Sequence, residues 1–228
     1  MIDTLNLIGE IFGWIGSVIS VYFFIEPVSP FYKLLRGQIQ LNDAPAFLLL
    51  FSFLNCILWV SDGFLLDKIQ IYITNAIGEA LTLIFITIFI AYFSEKKIYL
   101  TIIYLFCLMA LIGVISWSTY FIVPQEYLRW ICIVFNILMI VSTGEKIYLV
   151  FKTENYNLIP IFSITGQFLS ASCWVVFGVC ESVLETIIPN ALGVLFAIIE
   201  FVVYLYFYCQ KKNDPIIIEN IINDDRLI

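Results

Sequence analysis

Trp59-Val60-Ser61-Asp62-Gly63, followed by Asn75-Ala76-Ile77-Gly78, has a counterpart 115 residues on in Trp174-Val175-Val176-Phe177-Gly178, followed by Asn190-Ala191-Leu192-Gly193. Trp, Val, Gly, Asn, Ala and Gly recur in register. The same ungapped offset pairs Pro45 with Pro160, Phe47 with Phe162, Phe53 with Phe168, Leu54 with Leu169, Ile73 with Ile188, and Lys96-Lys97 with Lys211-Lys212. Chance similarity between two apolar segments would align mostly Leu, Ile and Val. Here it aligns Trp, Gly, Asn, Pro and a Lys pair, the mark of an internal duplication.

Hydrophobic residues are 62% of the 228, charged residues 13%, and the mean hydropathy is +1.00. That is far from the soluble balance of roughly half apolar and a quarter charged. With roughly 20 apolar residues per spanning helix, the length suits six or seven spans with no room for a soluble catalytic domain. The net charge of −7 offers no basic patch for nucleic acid. Six cysteines lie in or beside apolar runs without CxxC spacing, and there is no His, so they read as small buried hydrophobes and no metal or cofactor is expected. Asp3 and Glu10 stand where a signal peptide would be basic, so the first helix is expected to stay.

Apolar runs at about 7–27, 45–66, 69–93, 98–122, 127–151, 158–180 and 184–209 predict seven helices, with the longest internal polar stretch, Lys33 to Asp43, read as a loop. With the N-terminus outside, nine Lys and Arg residues fall on the cytoplasmic side and only Lys68 and Arg129 on the other, which sets the expected orientation as N-outside, C-inside. Helices 1 to 3 correspond to helices 5 to 7. The odd linker, helix 4, makes the two units parallel, about an axis along the membrane normal. The expected fold is all-α: seven transmembrane helices in a 3+1+3 plan. Residues 1–97 form the first repeat, 98–122 a lipid-facing linker, 123–212 the second repeat and 213–228 a polar cytoplasmic tail.

Asn75 and Asn190 fall about two turns inside helices 3 and 7 from the outer end, and Trp59 and Trp174 a similar distance inside helices 2 and 6. The symmetry brings these pairs to one depth. A carboxamide supplies donor and acceptor for hydroxyls and an indole face stacks on the C–H surface of a ring, so the set suits a neutral polyol. Asn bridging helices and Trp in an interfacial belt are the structural alternatives.

Lys152-Thr153, Pro160, Trp174 with Gly178, and Pro189-Asn190 with Gly193 resemble the motif series of the SWEET (MtN3/saliva) sugar transporters, of the PQ-loop superfamily. The first half resembles it through Pro27-Val28-Ser29-Pro30-Phe31, Asn55 with Trp59 and Gly63, and Asn75 with Gly78. The resemblance implies a facilitator that binds sugar between the paired Asn and aromatic positions and assembles as a homo-oligomer, a trimer or dimer. It also implies lining positions one and two turns before a proline of helix 1, Ser20 and Phe23, and their repeat equivalents in helix 5, Phe135 and Leu138. Three of these four are bulky, which favours a monosaccharide over a disaccharide. A family tetrad of hinge prolines maps to Pro27, Pro45 and Pro160, with Thr143 in the fourth place.

Two carboxylates depart from the pattern. Glu79 lies one turn beyond Asn75 on the same helix face, and Glu200 lies ten residues beyond Asn190. An ionised carboxylate is costly in a bilayer, so either is a possible proton site. The expected function is bidirectional facilitated diffusion of a small neutral sugar by alternating access, in a plasma membrane or endomembrane. The alternative is a proton-coupled PQ-loop carrier of an amino acid or other small solute, although the one Pro-Gln pair, Pro124-Gln125, reads as an outer loop. A sorting receptor would call for a cation at depth, and an enzyme for a nucleophile motif; the chain offers neither.

Overall fold

The computed structural model describes residues 2–38, 46–95, 97–156, 159 and 161–212, with backbone alone at 2, 3, 30, 46–48, 98, 142, 143, 145, 146 and 212. Among the described residues the elements are α1 (Ile2–Ile25), α2 (Val28–Leu35), α3 (Ala46–Leu65), α4 (Ile69–Phe93), α5 (Ile98–Phe121), α6 (Gln125–Thr153), α7 (Ile161–Glu181) and α8 (Leu184–Lys212). The seven long helices are the expected spans. Five of them (α1, α4, α5, α7 and α8) are long and apolar enough to cross a bilayer on composition alone. The described apolar stretch of α3 is shorter, Leu49–Leu65. α6 carries Glu126, Arg129 and Lys152, but its 29 residues extend about 44 Å at 1.5 Å each, enough for a hydrocarbon core of about 30 Å.

The start of the expected polar loop is instead the end of a helix. Pro27 has φ −62° and precedes α2, where a missing N–H costs nothing. α2 buries Phe31 and Leu34 against Leu49 and Phe85, with the Phe31 and Phe85 rings stacked at 5.2 Å. Its other face exposes Val28, Tyr32 and Leu35, and the Arg36 guanidinium lies over the Tyr32 ring. Hydrophobic spacing over eight residues is too short a signal to separate from a loop. Pro124-Gln125 also belongs to a helix start: Pro124 caps α6 and Gln125 is its first residue.

Within each repeat the third helix stands between the other two. α4 packs on both α1 and α3, and α8 on both α6 and α7. The repeats meet along two antiparallel seams related by the duplication, α1 with α7 and α3 with α6. α5 packs only on α3 and α4 among the stronger helix pairs. It is held by Thr119 donating to Ser61 at 3.0 Å and by a Ser94–Thr101 hydroxyl pair at 2.9 Å, and it leaves Phe106, Val114 and Trp117 outward, as a lipid-facing linker should.

α1 and α6 both start at one end of the bundle, here the N-side. There a single apolar core draws on both repeats, through Leu58, Trp59 and Ile71 of the first and Leu128, Cys132, Trp174 and Phe177 of the second. On the opposite side each repeat has its own core, Phe31, Leu34, Leu49 and Phe85 in one and Val150, Ile164, Ala197, Val203 and Phe207 in the other. The two repeats therefore share one core at the N-side and keep separate cores beyond it.

Candidate functional site

Asn75 and Asn190 are each the seventh residue of their helix, α4 and α8. Each carboxamide donates one N–H to the carbonyl four residues earlier, Ile71 and Thr186, at 2.8 Å in both cases. Tied back in this way, each keeps a second N–H and an oxygen acceptor for another partner. Both side chains are half-buried. Pro189, buried inside α8, removes a backbone donor immediately before Asn190; at the equivalent place Thr74 returns its hydroxyl to the Gln70 carbonyl at 2.6 Å.

The two tryptophans are buried in the shared N-side core, at 4% and 8% exposure. Their indole N–H groups are satisfied differently. Trp59 donates to Asn55 Oδ1 at 3.1 Å, one turn earlier on its own helix. Trp174 donates at 3.0 Å to Ser20 Oγ on α1, which is also 2.9 Å from the Ser170 hydroxyl. The Trp174 contact thus ties one repeat to the other. Phe177 packs edge-on against Trp174 at 5.4 Å, and Phe135 is partly buried against the same core.

The structure therefore gathers Trp59, Trp174, Ser20 and Phe135 around one level. Phe23 lies further along α1, where its ring fills the space beside Gly166 of α7. Leu138, its repeat equivalent, is 45% exposed and is not brought into that packing. Of the hinge positions, Pro27 sits at the break between α1 and α2, and Thr143 lies within the continuous α6, its side chain outside the described residues; Pro45 and Pro160 also lie outside them. Glu79 is half-buried, with no hydrogen bond or ion pair of its carboxylate among the described residues. Glu200 is buried at 4% and has a partner.

Ser170 and Asn55 were not among the expected lining residues. A polar residue precedes each Trp by four, and that placement was readable in both halves; their chemical difference hid it from a search for identities. On the N-side of this level Lys68 pairs with Glu181 across the repeats, and Arg129 Nε meets Glu185 Oε1 at 3.0 Å within the second. The six cysteines are unpaired. Two clefts, of about 450 Å³ beside Ser61, Tyr72 and Trp117 and about 400 Å³ beside Tyr22, Glu26 and Ser163, lie away from the Trp and Asn residues. The carboxamides keep hydrogen-bonding groups suited to a neutral polar solute, while both indoles are buried in the N-side core.

The family model described as "Sugar efflux transporter for intercellular exchange" matches residues 10–97 and 126–213, one match per repeat. The bidirectional sugar transporter SWEET7b of Oryza sativa subsp. japonica is 29% identical over 92% of this chain and 82% of its own length. The bidirectional sugar transporter SWEET7 of Arabidopsis thaliana is 24% identical over 91% and 84%. Among solved structures, that of a eukaryotic SWEET transporter superposes with a TM-score of 0.78 at 19% identity, covering 90% of this chain and 99% of that one. A duplicated three-helix fold, the motif series in both halves and a family match to each repeat agree: this multi-pass membrane protein belongs to the SWEET (MtN3/saliva) family, a family of transporters and not of enzymes.

Proposed function

We propose that this chain carries a small neutral sugar, a monosaccharide in preference to a disaccharide, down its gradient in either direction by alternating access. The observation that carries this reading is the matched pair of carboxamides, Asn75 and Asn190, each tied back to its own helix at 2.8 Å, with Trp59 and Trp174 buried in one core. Relatives in rice and Arabidopsis are named bidirectional sugar transporters, which supports a sugar as the solute. Of the three bulky positions only Phe135 packs beside the two tryptophans, and its bulk supports the smaller sugar.

In this reading the N-side is the outside and the C-terminal tail is cytoplasmic, in a plasma membrane or endomembrane. The repeats, 1–97 and 123–212, rock about the Trp and Asn layer as homo-oligomer subunits, joined by 98–122. Pro27, Pro45, Thr143 and Pro160 serve as the flexible points on the cytoplasmic side. Asn190→Ala is expected to lower glucose uptake in proteoliposomes by about tenfold, the loss of a hydrogen bond or two to the sugar, with folding unchanged. Wild-type uptake by a folded Asn190→Ala protein would remove the proposed site.

Glu79 favours a second reading, proton-coupled carriage, because its carboxylate stands half-buried and unpartnered one turn from Asn75. Uptake driven by an imposed pH gradient, and lost in Glu79→Gln, would establish coupling; uptake indifferent to both supports the facilitator.

A further inference from the structure

Asp62, near the N-side end of α3, is 0% exposed, and neither of its carboxylate oxygens has a hydrogen-bond partner. It belongs to neither the Trp and Asn layer nor the Lys68–Glu181 pair. It lies one turn beyond Trp59, beside Gly63, at the outer end of the seam between α3 and α6. The charged and titratable groups that act on it come from the other repeat: Arg129 and Cys132 on α6 and Glu185 on α8. Arg129 is the nearby cation, and it is engaged with Glu185 of its own repeat. Asp62, on the other repeat, is enclosed beside that pair without a donor.

An ionised carboxylate sealed in this way would lose its hydration without gaining a hydrogen bond, and the charge of Arg129 is opposed by that of Glu185, whereas a neutral acid loses far less. Opening the seam would admit water and remove the difference. Resting on the alternating-access reading above, we propose that Asp62 is a proton-binding site of the outer gate, filled while the α3–α6 seam is shut and emptied to the outside when it opens.

Trp59 and Trp174 lie one turn nearer the cytoplasmic side than Asp62 and are buried in one core, which closes that route, so the proton enters and leaves by the outer face alone. Two consequences separate this site from one that couples transport. Protons favour the state that binds them, so outer acidity holds the gate shut and slows sugar passage in both directions. No proton crosses with the sugar.

The test is radiolabelled glucose exchange in oriented proteoliposomes with the pH of each face set separately. Wild-type exchange should slow about tenfold as the outer face goes from about pH 7.5 to about pH 5, with no response to the inner face and no sugar-driven change in lumenal pH. Asp62→Asn, which mimics the neutral acid, should be slow and flat across that range. Glu185→Gln frees Arg129 to face Asp62 and should move the decline to lower outer pH, which keeps a test available if Asp62→Asn does not fold. An unchanged pH profile in either variant, a pH effect from the inner face, or protons entering with sugar overturns the proposal. Wild-type exchange indifferent to outer pH overturns it and leaves the transport reading standing. If wild type exchanges no sugar, the transport reading falls instead. The gate is then read from labelling of the seam residue Cys132 by an external thiol reagent: acid must slow labelling more in wild type than in Asp62→Asn, and equal slowing rejects the site.

Discussion

The two seams that join the repeats are equivalent by duplication and unlike in substance. Along α1 and α7 the contacts descend in step: Gly9 beside Glu181, Gly13 beside Phe177, Gly16 beside Cys173 and Trp174, Ser20 with Ser170, Phe23 on Gly166, and Glu26 accepting from Ser163 at 2.6 Å. Along α6 and α3 the places of those three glycines are held by Pro124, Leu128 and Ile131, and the place of Gly166 by Phe51. Small residues let two helix backbones approach within a membrane, where apolar association has little drive of its own. The first seam is consequently in contact from Gly9 and Glu181 down to Glu26 and Ser163, where a cleft opens beside it. The second is tied by Gln125 to the Leu65 carbonyl at 3.5 Å and by Ser52 to the Met139 sulfur at 3.6 Å, and Leu138, next to Met139, is exposed. A symmetric scaffold has become one seam of small residues in close approach and another of bulkier residues with weaker polar ties.

Placing in the first seam what the second already has should break this comparison most severely. Gly13→Leu copies Leu128, but a Cβ at Gly13 would lie only 2.7 Å from the Phe177 ring. The expected loss is about 3 kcal/mol, seen as an earlier thermal transition of the detergent-solubilised protein. A transition within a degree of wild type would show that the seam has slack. The next effect concerns the hydroxyl chain. Ser20→Ala strips the Trp174 indole of its acceptor and should cost about 2 kcal/mol, whereas Ser170→Ala leaves that bond in place and should cost about 1 kcal/mol. Calorimetry of both singles and the double measures their coupling; strict additivity would mean the three groups do not act together. The smallest effect belongs to the second seam. Ser52→Ala removes a weak contact to sulfur and should change stability by about 0.5 kcal/mol or less.

The duplication was legible because it fell outside the Leu, Ile and Val that chance would align, on Trp, Asn, Pro and Gly, and from it came the 3+1+3 plan and the parallel repeats. The linker's character was legible in its unbroken apolar run. α2 was not, since its first residues gave only a motif and its last, from Lys33, read as loop, until Phe31 and Leu34 are seen packed with Leu49 and Phe85. The partner of Trp174 was hidden for another reason: Ser20 and Trp174 are 154 residues apart, and only the seam brings them together. Asp62 stands within the quoted repeat, yet its counterpart is Phe177, and the duplication carries no hint of an acid there. Identity between halves exposes what the repeats share, and in this protein the seams differ at the positions they do not share.

The tight seam also has a consequence for how the chain is made. The partner that α1 fits best is α7, more than a hundred residues downstream, whereas α3, α4 and α5 find one another as they emerge. At about 5–20 residues per second, the ribosome delivers Trp174 some 8–30 seconds after Ser20. For that interval Gly9, Gly13 and Gly16 face lipid or a chaperone, and the first helix of the protein is among the last to be fully housed.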